Sequence, residues 1–157
     1  MNIYEELLSG LGKDISFNEE GIFSRELKKE GAENLPLLLT IYNDMQDMSF
    51  RISVMSLRAL SNNLSPQLMQ AFIEKSLEPL RGGIGIGVYP DTRYLTVYQT
   101  LPLAGSNKDV VMEVITSLVD EAESWLIKLR ENEMNMGCEL VEYGSEAKFG
   151  GVMNLCV

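Results

Sequence analysis

The sequence predicts an α+β fold, an antiparallel five-stranded sheet with three helices in the order α-β-β-β-α-β-β-α. Three observations predict it. Short runs of alternating apolar and polar residues follow one another at hairpin spacing. Three other stretches repeat their apolar residues every three to four positions, as helices do. Serine, proline and glycine punctuate the boundaries between them. At 157 residues the chain suffices for one domain with a core of its own.

The first helix is expected over residues 3–11, where Ile3, Leu7, Leu8 and Leu11 share a stripe and Gly12 ends it. A helix this short is marginal alone and must dock on something. Ile15-Ser16-Phe17, the polar Asn18-Glu19-Glu20-Gly21 and then Ile22-Phe23 read as a first hairpin. In residues 37–42 Leu37, Leu39 and Ile41 alternate with Leu38, Thr40 and Tyr42. In residues 49–57 Phe50, Ile52 and Val54 oppose Arg51, Ser53 and Met55. A turn through residues 43–47 joins these two strands.

Ser65-Pro66 marks a helix start, with serine as N-cap and proline at the first helical position. Leu68, Met69, Phe72, Ile73, Leu77 and Leu80 follow at helical spacing until Pro79 and Gly82-Gly83 stop the run. A strand with Ile84, Ile86 and Val88, a turn at Pro90-Asp91, and a strand from Tyr94 to Thr100 closed by Pro102 come next. The last helix is capped by Ser106 with Asp109 in capping-box position. Its face holds Val111, Val114, Ile115, Leu118, Ala122, Trp125, Leu126 and Leu129. Trp125 reads as a core anchor. After Arg130 the chain is expected to become polar and irregular, so the division is a domain of residues 1–130 and an acidic tail of 131–157, ordered at most near Phe149–Val152.

Composition narrows the function. There are 23 acidic residues against 13 basic, a net charge of -10. That sign repels phosphate backbones and anionic headgroups, which argues against nucleic-acid and membrane binding. The two cysteines, Cys138 and Cys156, form neither a disulfide framework nor a zinc motif. The apolar run at residues 35–39 is too short to span a bilayer. The acidic start, Met1 to Glu6, does not read as a signal peptide, and the expectation is a cytoplasmic protein.

The chain has no histidine, which removes Ser-His and Cys-His couples, histidine metal ligands and the commonest general base. The paired acids Glu5-Glu6 and Glu19-Glu20, and Asp120, Glu121 and Glu123, sit where solvated charge is the ordinary explanation. GGIGIGV, residues 82–88, is no phosphate loop, because its glycines alternate within a strand and a second strand follows instead of a helix. The expectation is therefore no enzyme and no cofactor. Gly83, Gly85 and Gly87 leave one sheet face almost without side chains, open to close approach by the protein's own helix or by another chain.

Several segments resemble the class I chaperones of bacterial type III secretion, the Tir-chaperone family. Leu7-Leu8-Ser9-Gly10-Leu11-Gly12 resembles that family's first helix, and ISFNEEGIF (15–23) its first hairpin. GGIGIGV with Tyr94–Thr100 and Leu101-Pro102-Leu103 resembles its later strand pair, and Ala122-Glu123-Ser124-Trp125-Leu126 its last helix. The resemblance covers residues 3–130; residues 58–64 have no counterpart in it. It implies a homodimer in the cytoplasm of a Gram-negative bacterium that holds the N-terminal segment of a secreted effector. An alternative keeps the fold and makes the partner a regulatory protein; a carboxylate-based enzyme is the remote alternative. The residues expected at the dimer interface are Met69, Phe72, Ile73, Ile86, Tyr94 and Tyr98. Those expected to bind the client are Ile3, Leu7, Phe17, Phe23, Leu38 and Tyr42.

Overall fold

The computed structural model describes residues 3–12, 14–27 and 36–145, with the backbone alone for Ile3, Glu5 and residues 137–145. The elements are α1 (Ile3–Leu8), β1 (Ile22–Leu27), β2 (Leu37–Asp44), β3 (Ser49–Ala59), α2 (Pro66–Ser76), β4 (Gly85–Val88), β5 (Tyr94–Pro102) and α3 (Lys108–Ser145). Short 3-10 turns at Ser9–Leu11 and Glu78–Arg81 extend α1 and α2. This is the expected α-β-β-β-α-β-β-α order.

All strand pairs are antiparallel, in the order β1-β2-β3-β5-β4. Register sorts the side chains. Leu37, Leu39 and Ile41 stand opposite Ser56, Val54 and Ile52, and Val54 stands opposite Val97, which in turn faces Ile86. These residues are buried and make the inner face, against which α3 packs Val111, Ile115, Leu118, Ala122, Trp125, Leu126 and Leu129. Helix α1 adds Tyr4, Leu7 and Leu8, with the Tyr4 ring 6.1 Å from that of Phe50. The alternation read in β2 and β3 is that of strands buried on one side, and burial and register decide which side is the core.

The β2–β3 turn sits slightly later than expected, at Met45–Met48, because Asn43 and Asp44 stay in the ladder opposite Phe50 and Ser49. Asp44 then closes the turn, its Oδ1 accepting from the amides of Gln46 and Asp47. Residues 15–17 are not a strand. Asn18 Oδ1 accepts from the amides of Glu20 and Ile22, and Gly21 turns the chain at φ +75°. Beyond that turn Phe17 packs its ring on Phe23 and Phe50 instead of continuing the ladder. Burying the ring outweighs two or three edge hydrogen bonds that water can replace.

Ser65 caps α2 as expected, its Oγ accepting from Leu68 N at 3.3 Å with Pro66 at the first position. Gly82 ends the following 3-10 turn in the left-handed region, φ +78°. The start of α3 differs. Asn107 is the cap, its Oδ1 accepting from Val110 N at 3.0 Å, while Ser106 donates to the Pro102 carbonyl. Asparagine one residue later reaches the first free amides of the helix that does form.

The larger correction concerns the end of α3. The helix does not stop at Arg130 but runs on to Ser145. Asn132 explains the first of those turns. It is buried at a core position, donates from Nδ2 to Asn63 O (3.0 Å) and accepts on Oδ1 from Ser65 N (2.9 Å). A polar residue thus continues the apolar stripe by satisfying the loop between β3 and α2. The proposed ordered patch at Phe149–Val152, together with Cys156, lies outside the described residues.

Candidate protein-binding surfaces

Helix α2 is attached along one side only. It runs antiparallel to α3, with the Phe72 ring edge-on to Trp125 at 5.8 Å and Lys75 Nζ 3.3 Å from Glu121 Oε1. The same carboxylate oxygen accepts from Trp125 Nε1 at 3.0 Å, and Lys128 lies over the indole. No residue of α2 is buried. Met69, Ile73 and Leu77 recur every four residues on its outward side, and Leu80 of the 3-10 turn continues the line at 85% exposure. An eleven-residue helix with such a stripe open to water lacks half of its packing.

The stripe meets the sheet at Gly85. A Cβ there would stand 2.5 Å from both Pro79 Cγ and Tyr98 Cζ, so glycine lets the 3-10 turn close on β5. The bare glycine face is thus partly occupied by the protein's own chain. At Gly87 the space is open, and Val88 and Tyr89 beyond it are exposed.

The expected dimer residues divide accordingly. Met69, Ile73 and Tyr98 are exposed on this surface, Phe72 turns inward onto Trp125, and Tyr94 is half-buried at the start of β5. Ile86 is only 1% exposed and belongs to the protomer's core. Alternation alone could not say which face of β4 was inward; the pairing with Val97 decides it. Leu77, Leu80, Val88 and Tyr89 are exposed beside them, and the helical spacing from Met69 carried the signal for the first two.

The expected client residues also divide. Leu7 and Phe23 are buried in the core, and Phe17 is half-buried against Phe23 and Phe50. The side chain of Ile3 lies outside the description. Leu38 and Tyr42 point to the opposite, outer face of the sheet. There Leu38, Thr40, Tyr42, Ser53, Met55 and Leu57 are all half-buried or exposed, and Arg51 lies over the Tyr42 ring. A sheet face with uncovered apolar side chains of this kind is a candidate interaction surface.

The two sheet edges differ. Edge strand β1 points Arg25 inward, where its guanidinium donates to the carbonyls of Leu11 and Asp14 and stacks over Phe23. An inward charge is a common guard against edge pairing. Edge strand β4, Gly-Ile-Gly-Val, carries no charge. Among the described residues no group of three or more His, Cys, Asp or Glu could hold a metal ion, and no helix is long and apolar enough to cross a membrane.

No protein-family model and no curated protein sequence matches the chain. Solved structures do. The chain is similar to the HopA1–SchA chaperone–effector complex, at TM-score 0.56 and 18% identity over 78% of this chain and 91% of that one. It is similar to the ExsC–ExsE complex, at TM-score 0.63 and 16% identity over 82% and 97%. It is also similar to the Yersinia pestis type III secretion chaperone SycH in complex with a stable fragment of YscM2, at TM-score 0.56 and 20% identity over 77% and 94%. The chain has the fold of the class I type III secretion chaperones.

Proposed function

Proceeding from that fold, we propose that the protein is a homodimeric type III secretion chaperone that binds an N-terminal segment of a secreted effector in the bacterial cytoplasm. The observation that carries the reading is the likeness in fold, across nearly the whole of each neighbour, to chains solved in complex with a second protein. The surfaces of this chain support it. The unpartnered stripe of α2 suits a second copy, since a two-fold axis lets one apolar patch cover its twin. The outer face of β1–β3, with Leu38 and Tyr42, suits an extended client that wraps the dimer without folding. Binding energy alone holds such a client, and the net charge of -10 keeps the loaded complex in solution.

Co-expression with secreted proteins encoded nearby, followed by purification and light scattering, tests the reading. The expected result is twice the monomer mass and co-purification of an N-terminal effector fragment. A monomer that retains no fragment overturns it.

A further inference from the structure

The stretch 58–64, which has no counterpart in the family resemblance, helps to build a pocket where the end of β3 meets α3. The pocket lies on the helix side of the sheet, away from Leu38 and Tyr42. Leu126 and Leu129 are buried and form an apolar floor with the half-buried Leu60, while Arg58, Arg130 and Glu133 stand at the rim. Hydrogen bonds hold the walls. Leu60 N donates to Arg93 O at 2.8 Å, Ser56 Oγ donates to Arg58 O at 3.0 Å, and Asn132 fixes Asn63 O and Ser65 N. A frame of this kind loses little freedom when a ligand enters.

Charge sets the rim apart. The chain has a net charge of -10, yet here two guanidinium groups stand with one carboxylate. Arg58 and Glu133 are 3.8 Å apart and Arg58 is largely exposed, a pair of little worth that another carboxylate can replace. The surrounding negative charge keeps polyanions away but leaves room for a single carboxylate between two arginines. A bare anion would leave the leucine floor unused.

We propose that this pocket binds a linear segment of a partner protein in which a glutamate or aspartate adjoins a branched apolar residue. The carboxylate sits between Arg58 and Arg130, and the apolar side chain covers Leu60 above Leu126 and Leu129. The site goes beyond the chaperone reading and does not depend on it, since it needs neither a dimer nor an effector.

Titrating the isotope-labelled full chain with the capped peptide Ser-Gly-Glu-Leu-Gly-Ser, followed by amide NMR shifts, tests it. The expected result is saturable shifts at residues 58–60 and 126–133. Versions with Gln-Leu or Glu-Ser in place of Glu-Leu are each expected to bind about tenfold more weakly, as is the unchanged peptide to Arg58→Gln or Arg130→Gln. Arg81→Gln, an exposed arginine of the 3-10 turn, is expected to change nothing. Arg58 is the more exposed of the pair, so Arg58→Gln carries the test alone if the other variant does not fold. Equal binding of the Glu-Leu and Gln-Leu peptides overturns the proposal, because the arginines would then play no part. So does acetate that matches the peptide, which would make the pocket a site for small anions only. Shifts confined to Leu38 and Tyr42, or none at millimolar peptide, overturn it as well.

Discussion

Two glycines of one strand show how much a single position decides. Adding a methyl at Gly85 drives it into Pro79 and Tyr98, whereas at Gly87 it meets nothing within 4 Å. Gly85→Ala is expected to lower stability by about 1–3 kcal/mol, the ordinary cost of overpacking, and Gly87→Ala to be near neutral. Paired urea titrations check the difference. Asn132 offers a second case. Asn132→Ala leaves the Ser65 amide and the Asn63 carbonyl without their partner, and about 1–3 kcal/mol is expected to be lost for each group that stays dry. Equilibrium unfolding measures it, and a loss well below 1 kcal/mol would mean that water replaces the side chain.

At the scale of elements, α2 is the informative one. Its outward stripe is exposed, Ile73 at 56% and Leu80 at 85%, so charges placed there disturb little but assembly. Ile73→Asp with Leu80→Asp is expected to give a monomer by light scattering while circular dichroism stays unchanged; a persistent dimer would move the interface elsewhere. Much of the fold at this scale was legible in the sequence. The period-two runs set Leu37, Leu39 and Ile41 on one side of β2 and Phe50, Ile52 and Val54 on one side of β3, which register joins into one face, and Ser65-Pro66 gave the start of α2. What was not legible depended on partners distant in the chain. Ile86 is core because register sets it beside Val97, and Phe17 leaves its hairpin arm because Phe23 and Phe50 receive it. The continuation of α3 was hidden by Asn132, which reads as a break in an apolar stripe until its partners at Asn63 and Ser65 are seen. Of the candidate surfaces, the α2 stripe was visible as spacing, but its exposure was not, since a helix shows which side is apolar and not what covers it.

For the molecule as a whole, charge is unevenly placed. Helix α3 carries nine acidic residues from Asp109 to Glu142 against Lys108, Lys128 and Arg130. Self-repulsion of this kind is screened over about 10 Å at 0.1 M salt. Raising sodium chloride from low to physiological strength is therefore expected to raise the unfolding midpoint by a few degrees, which scanning calorimetry checks. A midpoint that falls with salt would mean that attractive pairs such as Lys75–Glu121 outweigh the repulsion.

The contact between α2 and α3 has an optical consequence. The chain holds one tryptophan, and Trp125 lies where Phe72, Glu121 and Lys128 converge on it. Tryptophan emission therefore originates at a single point, on the side of α2 away from its exposed stripe. For the dimer proposed above, diluting the unlabelled protein turns that indole into a gauge of subunit exchange, readable in stopped flow without modifying either surface.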